Sequence, residues 1–267
     1  VDDLAGKDIA QLAREEGIDI AIDLSGFTKG SRADIFAYRA APIQINYLGY
    51  PGTMAATFID YIIADKTIIP PDSQKYYSEK VIYLPDSYQA QDNTMQIAEK
   101  TPSRKELGLP ECGFIFCCFN NSYKISKAEF DIWMRLLAKV DGSVLWLYKA
   151  NELAKANLLR EAQSRGIDPQ RLIFSGGTFH ADYLARLRLA DLFLDTFNYN
   201  AGATASDALF AGLPLLTKIG VGYTARMASS LLQAIGLPEL ITPTEVAYER
   251  LALEVAIDSQ KLQSIRE

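Results

Sequence analysis

The chain has 267 residues, of which 49% are hydrophobic and 22% charged, and its formal net charge is -6. This composition is typical of a globular chain with one large or two modest domains. The negative charge excludes the basic surface that nucleic-acid-binding proteins carry. No apolar run reaches the length of a transmembrane helix. We therefore expect neither a nucleic-acid partner nor a membrane partner.

The few cysteines and histidines limit the chemistry of the chain. Cys112, Cys117 and Cys118 lack the spacing of a metal site or a disulfide framework, so we interpret them as reduced thiols of a cytoplasmic protein. His180 is the only histidine, which excludes a His-rich metal site. No D-x-D carboxylate pair occurs. The sequence therefore predicts a site without a metal ion, in which lysine and a helix dipole stabilise a diphosphate.

The first third of the chain alternates short helices and strands. The predicted elements are a helix at 5–16, a strand at 18–24, a helix at 35–39, and strands at 43–49, within 58–67 and at 81–84. A glycine-rich turn, 49–53, follows the second of these strands and exposes its backbone. Helices and strands that alternate through short loops predict a parallel α/β sheet.

Residues 87–109 are polar and long enough to predict a linker between two domains, at 1–86 and 110–267. Regular alternation resumes after this linker. The predicted strands are 114–119, 143–148, 171–174, 192–196 and 213–217; the predicted helices are 127–140, 151–165, 180–190, 203–211 and 224–235, followed by one amphipathic helical segment at 243–267. Most of these strands are apolar runs, as in sheets covered on both faces.

The loop after the predicted strand 192–196 has the features of an anion site. Gly202 and Ala203 are small, and Thr204 lies in the first turn of the next helix. Free N–H groups and the helix dipole make such a helix start attractive to phosphate. Asp207 lies three residues after Thr204 on the same helix face, where its carboxylate suits ribose hydroxyls. The residues alone leave open an ordinary capped βα turn.

Two other loops follow predicted strands of the second domain. Lys124 precedes a helix and offers a point charge for a phosphate. Thr178 and His180 follow the strand at 171–174, and Tyr183 and Arg186 lie further along the next helix. Ligands of parallel sheets bind beyond the carboxyl ends of the strands, so these side chains are candidates for a nucleotide site. Surface pairing, a helix-end histidine and a surface lysine remain alternatives.

The segment 220–225 reads G-x-G-x-x-A between a predicted strand and a predicted helix. This spacing matches the dinucleotide-binding pattern, which opens the alternative of an NAD-dependent oxidoreductase. The segment stands at the end of the βα series instead of in its first unit. A glycine-rich turn without chemical function is the other interpretation.

Eight sequence blocks follow one another along nearly the whole chain. They are GFTKGSRADIFAYRAAPIQINYLGYPGT, YIIADKTIIPP, YSEKVIYLP, FNNSYKI, SVLWLY, RLIFSG, ADLFLDTFNYNAGATASDALFAGLPLLT and GYTARMASSLL. Together they resemble the catalytic region of the O-linked N-acetylglucosamine transferases, in the bacterial form that is also related to SPINDLY-type fucosyltransferases. The resemblance implies an α/β fold of GT-B type with two Rossmann-like domains, the N-terminal, acceptor-side one being incomplete.

The resemblance also implies an activity and its partners. These enzymes transfer N-acetylglucosamine from UDP-GlcNAc to Ser or Thr hydroxyls of proteins, with inversion and without a metal or other cofactor. It further implies that the first Rossmann unit and the tetratricopeptide repeats lie upstream of Val1, and the closing helices beyond Glu267. We therefore expect a catalytic-region fragment of an enzyme with a nucleotide-sugar donor and a protein acceptor.

Site residues follow from the same resemblance. Lys124 matches the catalytic lysine that holds the diphosphate. The positions implied to bind the nucleotide sugar are Asn121, Thr178, His180, Tyr183, Arg186, Gly202, Ala203, Thr204 and Asp207. Among them, Asn121 stands near the phosphate and sugar, Thr178 offers its backbone to uracil, and Tyr183 replaces a histidine that stacks on uracil.

The remaining positions concern the ribose, the base and the helix start. His180 stands where the human-type enzyme has a lysine near the ribose, Arg186 lies near the base, and Asp207 binds the ribose hydroxyls. Gly202 and Ala203 replace the first two residues of a frequent His-Thr-Thr run. This departure leaves a non-catalytic nucleotide-binding module open as an alternative, and a GDP-fucose-dependent protein O-fucosyltransferase is another.

Overall fold

A computed structural model of the protein describes residues 3–149 and 151–267. The chain divides into two compact units, unit 1 (Val1–Ala90 with Gly222–Thr224) and unit 2 (Gln91–Val221 with Ala225–Glu267). The division after Ala90 lies inside the segment 87–109, whose role as a linker stays a prediction. None of the described helices is both long and apolar enough to cross a membrane.

Unit 1 contains one four-stranded sheet. Its elements are α1 (Gly6–Glu15), β1 (Ile20–Asp23), α2 (Ala33–Ala37), β2 (Ile43–Tyr47), β3 (Tyr61–Ala64) and β4 (Lys80–Tyr83). The strands lie in the order β1-β2-β3-β4 and all pairs are parallel. The predicted parallel α/β arrangement is confirmed, although α2 begins two residues earlier than the hydrophobic pattern indicated.

The two faces of this sheet differ in burial. On one face α2 packs against β1, and a small core forms from Phe36, Met54 and Ile59. The opposite face presents Ile20 and Ile22, which are 51% and 47% exposed. Ile43 pairs with Ile20 in the neighbouring strand, so it lies on that same face, and it is also exposed. Unit 1 therefore carries an uncovered aliphatic face near its β1 edge, whereas Ile45, further along β2 on the same side, is buried.

Unit 2 contains a larger sheet of six strands, and helices come between these strands along the sequence. Its strands are β5 (Ile115–Cys118), β6 (Val144–Tyr148), β7 (Leu172–Ser175), β8 (Leu192–Leu194), β9 (Leu215–Lys218) and β10 (Ile241–Thr242). Its helices are α3 (Lys127–Lys139), α4 (Glu152–Ser164), α5 (His180–Leu187), α6 (Ala203–Phe210), α7 (Met227–Ala234), α8 (Glu245–Ile257) and α9 (Ser259–Arg266). The order β10-β9-β8-β5-β6-β7 is parallel throughout.

The central strands of unit 2 are buried because both sheet faces are covered there. Every residue of β5 and β8 is buried, which agrees with the apolar runs in the sequence. Trp133 on α3 and Trp146 on β6 are among the largest fully buried side chains of the described chain. This core fixes the strand ends from which the polar loops emerge.

The C-terminal segment differs from its prediction. One amphipathic helical segment was predicted at 243–267, but the chain forms α8 and α9, which are separated at Asp258. The Asp258 carboxylate accepts hydrogen bonds from the backbone N–H groups of Gln260 and Lys261, at 3.0 and 3.1 Å. An aspartate that caps the second helix explains the break. The short strand β10 was not predicted, because two residues carry no periodicity.

The turn at 49–53 contains a glycine that the packing requires. A Cβ atom on Gly49 would lie 1.9 Å from the backbone oxygen of Leu24. Gly52, three residues later, has space, since its Cβ would meet only Tyr50 at 3.8 Å. The loops after β1 and β2 therefore touch at Gly49.

We expect the substitution Gly49→Ala to lower the free energy of unfolding by roughly 1–3 kcal/mol, because the added methyl group must displace the backbone near Leu24. Gly52→Ala is the matched control and should change this free energy by less than about 0.5 kcal/mol. Urea denaturation followed by circular dichroism measures both. Equal stabilities of the two variants would contradict the close packing at Gly49.

Candidate functional site

A cavity of about 440 Å³ lies in unit 2, beyond the carboxyl ends of β5, β6 and β7. Its lining residues are Phe119, Asn120, Asn121, Tyr123, Lys124, Tyr148, Ser175, Gly176, Gly177, Thr178, His180, Tyr183, Arg186 and Thr204. Seven of the ten predicted site residues are among them. The other three, Gly202, Ala203 and Asp207, belong to the same loop and helix start as Thr204. The structure therefore groups the predicted residues around one cavity.

Lys124 occupies one wall of this cavity. It ends a short 3-10 turn, Ser122–Lys124, which comes directly after β5 and before α3. Its ammonium donates a 2.9 Å hydrogen bond to the backbone oxygen of Asn200 and lies 3.9 Å from the ring centroid of Tyr199. Burial lowers the pKa of Lys124, and the negative charge of Asp195 opposes this shift. The lysine is thus part of the cavity and not a free surface side chain.

The start of α6 offers backbone donors. Gly202 is its N-cap and supplies no side-chain cap. The N–H groups of Ala205 and Ser206 both donate to the oxygen of Gly202. Within residues 3–149 and 151–267, no acceptor contacts the N–H groups of Ala203 and Thr204. Two donors at the positive end of a helix are therefore available to an anion.

The hydroxyl group of Thr204 is hydrogen-bonded within the protein. Its Oγ1 donates to Oδ1 of Asn120 at 3.0 Å, because the amide nitrogen of Asn120 is occupied by Asp195 and Thr196. The single hydroxyl proton is used within the protein. Thr204 therefore offers a ligand its lone pairs and its backbone N–H, but no hydroxyl donor.

His180 and Asp207 form a pair. His180 Nε2 lies 3.0 Å from Oδ1 of Asp207, which joins the start of α5 to α6. The Asp207 side chain is only 15% exposed, whereas that of His180 is 51% exposed. The histidine therefore stands on the solvent side of the carboxylate.

The remaining wall comes from the loop after β7 and from α5. Gly176 and Gly177 have no neighbour within 4 Å of a Cβ position, so their backbone is open to a ligand. Arg186 donates to the oxygen of Gly176 at 3.3 Å. The ring of Tyr183 packs edge-on against Phe119, with centroids 5.7 Å apart. An arginine and an aromatic ring beside open backbone suit a planar base.

Tyr183 is half-buried beside the cavity. Its hydroxyl group is buried and has no hydrogen-bond partner among the described residues. Burial raises the pKa of this phenol far above its ordinary value, so the ring stays neutral. A buried, unpaired hydroxyl is costly and is available to a polar group of a ligand that enters the cavity.

A buried carboxylate that was not predicted organises this site. Asp195 follows β8 and is fully buried. Its Oδ1 accepts hydrogen bonds from Asn120 Nδ2 at 3.1 Å and from the N–H groups of Thr196 and Ala201 at 2.9 and 2.7 Å. Its Oδ2 accepts one from Thr217 Oγ1 at 2.7 Å. These four bonds connect the loop after β5, strand β9 and the loop that leads into α6.

Sequence reasoning assigned Asp195 to the interior of a predicted strand, 192–196, and gave it no role. A carboxylate directly after an all-apolar strand was the available signal, since buried acids require partners. Asn120, which donates a hydrogen bond to Asp195, was not predicted as a site residue, whereas Asn121 was. Asn120 is buried, whereas Asn121 is exposed at the rim of the cavity.

The segment 220–225 forms a tight turn. The N–H of Gly220 donates to the oxygen of Ala225 at 2.8 Å, and a Cβ on Gly220 would lie 2.5 Å from the Cβ of Ala225. Tyr223–Ala225 is a 3-10 turn, and α7 begins only at Met227, where the prediction had placed a helix from 224. The close approach of Ala225 explains why a glycine stands at position 220, and no contact with a dinucleotide is needed for that explanation.

In unit 2 the cavity lies at the carboxyl ends of a parallel sheet, as in Rossmann-like folds, and comparisons with known proteins identify the family of the chain. The family model of glycosyl transferase family 41 matches residues 4–101 and 89–267. The chain belongs to this family. A solved structure of a mutant Thermobaculum terrenum O-GlcNAc transferase superposes with a TM-score of 0.88 at 29% identity, over 98% of this chain and 50% of that one. The expected GT-B fold is confirmed.

Curated relatives carry names that describe an activity. One is the probable UDP-N-acetylglucosamine--peptide N-acetylglucosaminyltransferase SEC of Arabidopsis thaliana, 36% identical over 96% of this chain and 27% of its own length. Another is the corresponding SPINDLY protein of Oryza sativa subsp. japonica, 31% identical over 97% of this chain and 28% of its own length. The chain thus spans about a quarter of these relatives.

The network at Asp195 generates a prediction about pH. Burial raises the pKa of Asp195 to about 7 although its four hydrogen bonds lower it. The pKa of this carboxyl group is higher in the folded state than in the unfolded state. Its contribution to the unfolding free energy is therefore fully present below about pH 4, where the group is protonated in both states. The contribution is lost as the pH rises through about 7.

We expect the wild-type protein to lose about 3 kcal/mol of unfolding free energy, relative to Asp195→Asn, between pH 4 and pH 8. The amide is isosteric and does not ionise, and Thr217 can turn its hydroxyl group to accept from it. Urea denaturation of both proteins across this range provides the measurement. A difference that is constant, or that grows in favour of the wild type, would contradict the raised pKa.

Proposed function

We propose that this chain is the nucleotide-sugar-binding part of a protein O-glycosyltransferase, which transfers N-acetylglucosamine from UDP-GlcNAc to Ser or Thr hydroxyls with inversion. The observation that carries the proposal is the cavity that holds both Lys124 and the uncapped start of α6. Membership of family 41 and the names of the relatives support it. A helix start and a lysine in one cavity suit a diphosphate.

The proposed mechanism is electrostatic. The acceptor hydroxyl oxygen attacks the anomeric carbon, the bond from this carbon to the diphosphate oxygen breaks, and the hydroxyl proton departs. Negative charge grows on the leaving UDP as the bond breaks. The Lys124 ammonium and the N–H groups of Ala203 and Thr204 stabilise this charge without a metal ion. They act more strongly on the transition state than on the ground state, because the leaving group carries more charge there.

The base and ribose have separate partners in the proposal. Uracil contacts the backbone of Thr178 and the open glycine loop before it, with Arg186 and the ring of Tyr183 alongside. The ribose hydroxyls contact the pair His180–Asp207, and Asn121 lies near the phosphate and sugar. We also propose that the acceptor is a protein. The free thiols of all three cysteines support a cytoplasmic location, which we propose as well.

We expect Lys124→Ala to weaken binding of UDP at least tenfold, because a charge-assisted contact with the diphosphate is removed. Lys127→Ala is the matched control. Lys127 is an exposed lysine three residues further along that does not line the cavity. Isothermal titration calorimetry of the folded 267-residue proteins provides both affinities. A wild-type protein that is folded but does not bind millimolar UDP would overturn the donor site.

The donor is tested by competition. We expect UDP-GlcNAc to displace a fluorescent UDP analogue from the cavity, and GDP-fucose to fail at the same concentration. The physical reason is the size and hydrogen bonding of the base. The edge of the single uracil ring can form hydrogen bonds with the short backbone segment at Thr178, whereas guanine has a second ring that needs more space. Fluorescence anisotropy follows the displacement. Preferential displacement by GDP-fucose would assign the chain to fucose transfer instead.

A further inference from the structure

We propose that Tyr199 is a positioning residue, which holds the Lys124 ammonium on its ring face so that the charge is set for the donor diphosphate. This role goes with the proposed function and rests on it. Tyr199 does not line the cavity, and the resemblance assigned it no part in the site. Its effect on a ligand therefore runs through Lys124.

Two contacts fix the ammonium. Lys124 Nζ lies 3.9 Å from the centroid of the Tyr199 ring and 2.9 Å from the oxygen of Asn200. The ring face and the carbonyl oxygen are both negative, so both favour the charged form of the lysine. An ammonium group has three N–H donors, and the carbonyl uses one of them. The ring face takes a second, which leaves one for an anion in the cavity.

The loop that carries Tyr199 is itself held in place. Thr196 Oγ1 donates to the backbone oxygen of Tyr199 at 2.6 Å, and Asn200 Nδ2 donates to the oxygen of Thr196 at 2.6 Å. The N–H of Ala201 donates to the Asp195 carboxylate. Tyr123 packs edge-on against the Tyr199 ring, with centroids 6.4 Å apart. Because the Tyr199 ring is already fixed, little side-chain entropy is lost when it holds the Lys124 ammonium.

The ring contact affects the pKa of Lys124, because burial and a nearby charge already act on this lysine in opposite directions. Burial lowers the lysine pKa, while the negative charge of Asp195 raises it. The phenols of Tyr199 and Tyr123 also lie at this wall. Burial raises the pKa of Tyr199, so the phenol remains neutral. Loss of the ring would leave the ammonium desolvated with one partner fewer, and its pKa would fall further.

The test compares Tyr199→Leu, which removes the ring, with Tyr199→Phe, which keeps it. We expect Tyr199→Leu to weaken UDP binding by roughly 2- to 30-fold, the range of a partly desolvated cation–π contact. Tyr199→Phe should bind within about twofold of the wild type. The pH at which UDP affinity declines on the alkaline side should be lower for Tyr199→Leu and unchanged for Tyr199→Phe.

A double-mutant cycle separates positioning from a general structural effect. In a Lys124→Ala background, Tyr199→Leu should cause no further loss of UDP affinity. Tyr76→Leu is the matched control. Tyr76 in unit 1 is 70% exposed and carries the Lys75 ammonium 5.2 Å from its ring. This variant should bind UDP like the wild type.

The inference is overturned if Tyr199→Leu binds UDP like the wild type, or if it causes the same loss with and without Lys124. If the wild type binds no UDP, the proposed function fails, but the positioning role is still tested by NMR titration of the Lys124 Nζ resonance. Tyr199→Leu should then lower the Lys124 pKa, and an unchanged pKa refutes the role. Tyr199→Gln replaces Tyr199→Leu if the latter does not fold.

Discussion

The site depends on one buried carboxylate. Asp195 accepts four hydrogen bonds from side chains and backbone of β9, of the loop after β5 and of the loop that leads to α6. The hydroxyl group of Tyr248 on α8 also donates to its backbone oxygen, at 3.1 Å. Removal of the carboxylate would leave several buried donors unpaired, each at a cost of about 1–3 kcal/mol. Close packing alone would not specify where these loops lie.

This network also decides which groups a ligand meets. The Asn120 amide is oriented by Asp195, and its oxygen takes the hydroxyl proton of Thr204. The same carboxylate closes the loop whose Asn200 oxygen holds Lys124. A chain of short polar contacts thus leads from the core to the cavity. At the start of α6 the donors offered to a ligand are consequently the Lys124 ammonium and backbone N–H groups, with no hydroxyl donor from Thr204.

Most of the fold was predictable because local patterns suffice for it. All-apolar runs predicted the buried strands, and helical spacing with caps predicted most of the helices. The break at Asp258 was missed, since an amphipathic pattern continues across a single capping residue. In the site, the grouping of Lys124, Thr178 and Thr204 followed from the rule that ligands bind at strand ends.

What the sequence did not reveal are contacts between distant residues. Asn120 and Asp195 are 75 positions apart, and His180 and Asp207 are 27 apart. Neither pair leaves a local pattern. The direction of the Thr204 hydroxyl bond depends on the orientation of a buried amide, which only the folded neighbourhood sets. The cation–π contact at Tyr199 is hidden for the same reason, because its lysine lies on another strand end.

The uncovered aliphatic face of unit 1 has a consequence for how this chain behaves in concentrated solution. Contiguous exposed isoleucines, as at Ile20, Ile22 and Ile43, attract one another between molecules, and the attraction strengthens on warming. The net charge of -6 provides a long-range repulsion that salt screens. Colloidal stability of the 267-residue chain is therefore a balance of ionic strength and temperature, and glutamate at these three positions would improve it, because it removes apolar surface and adds to the negative charge.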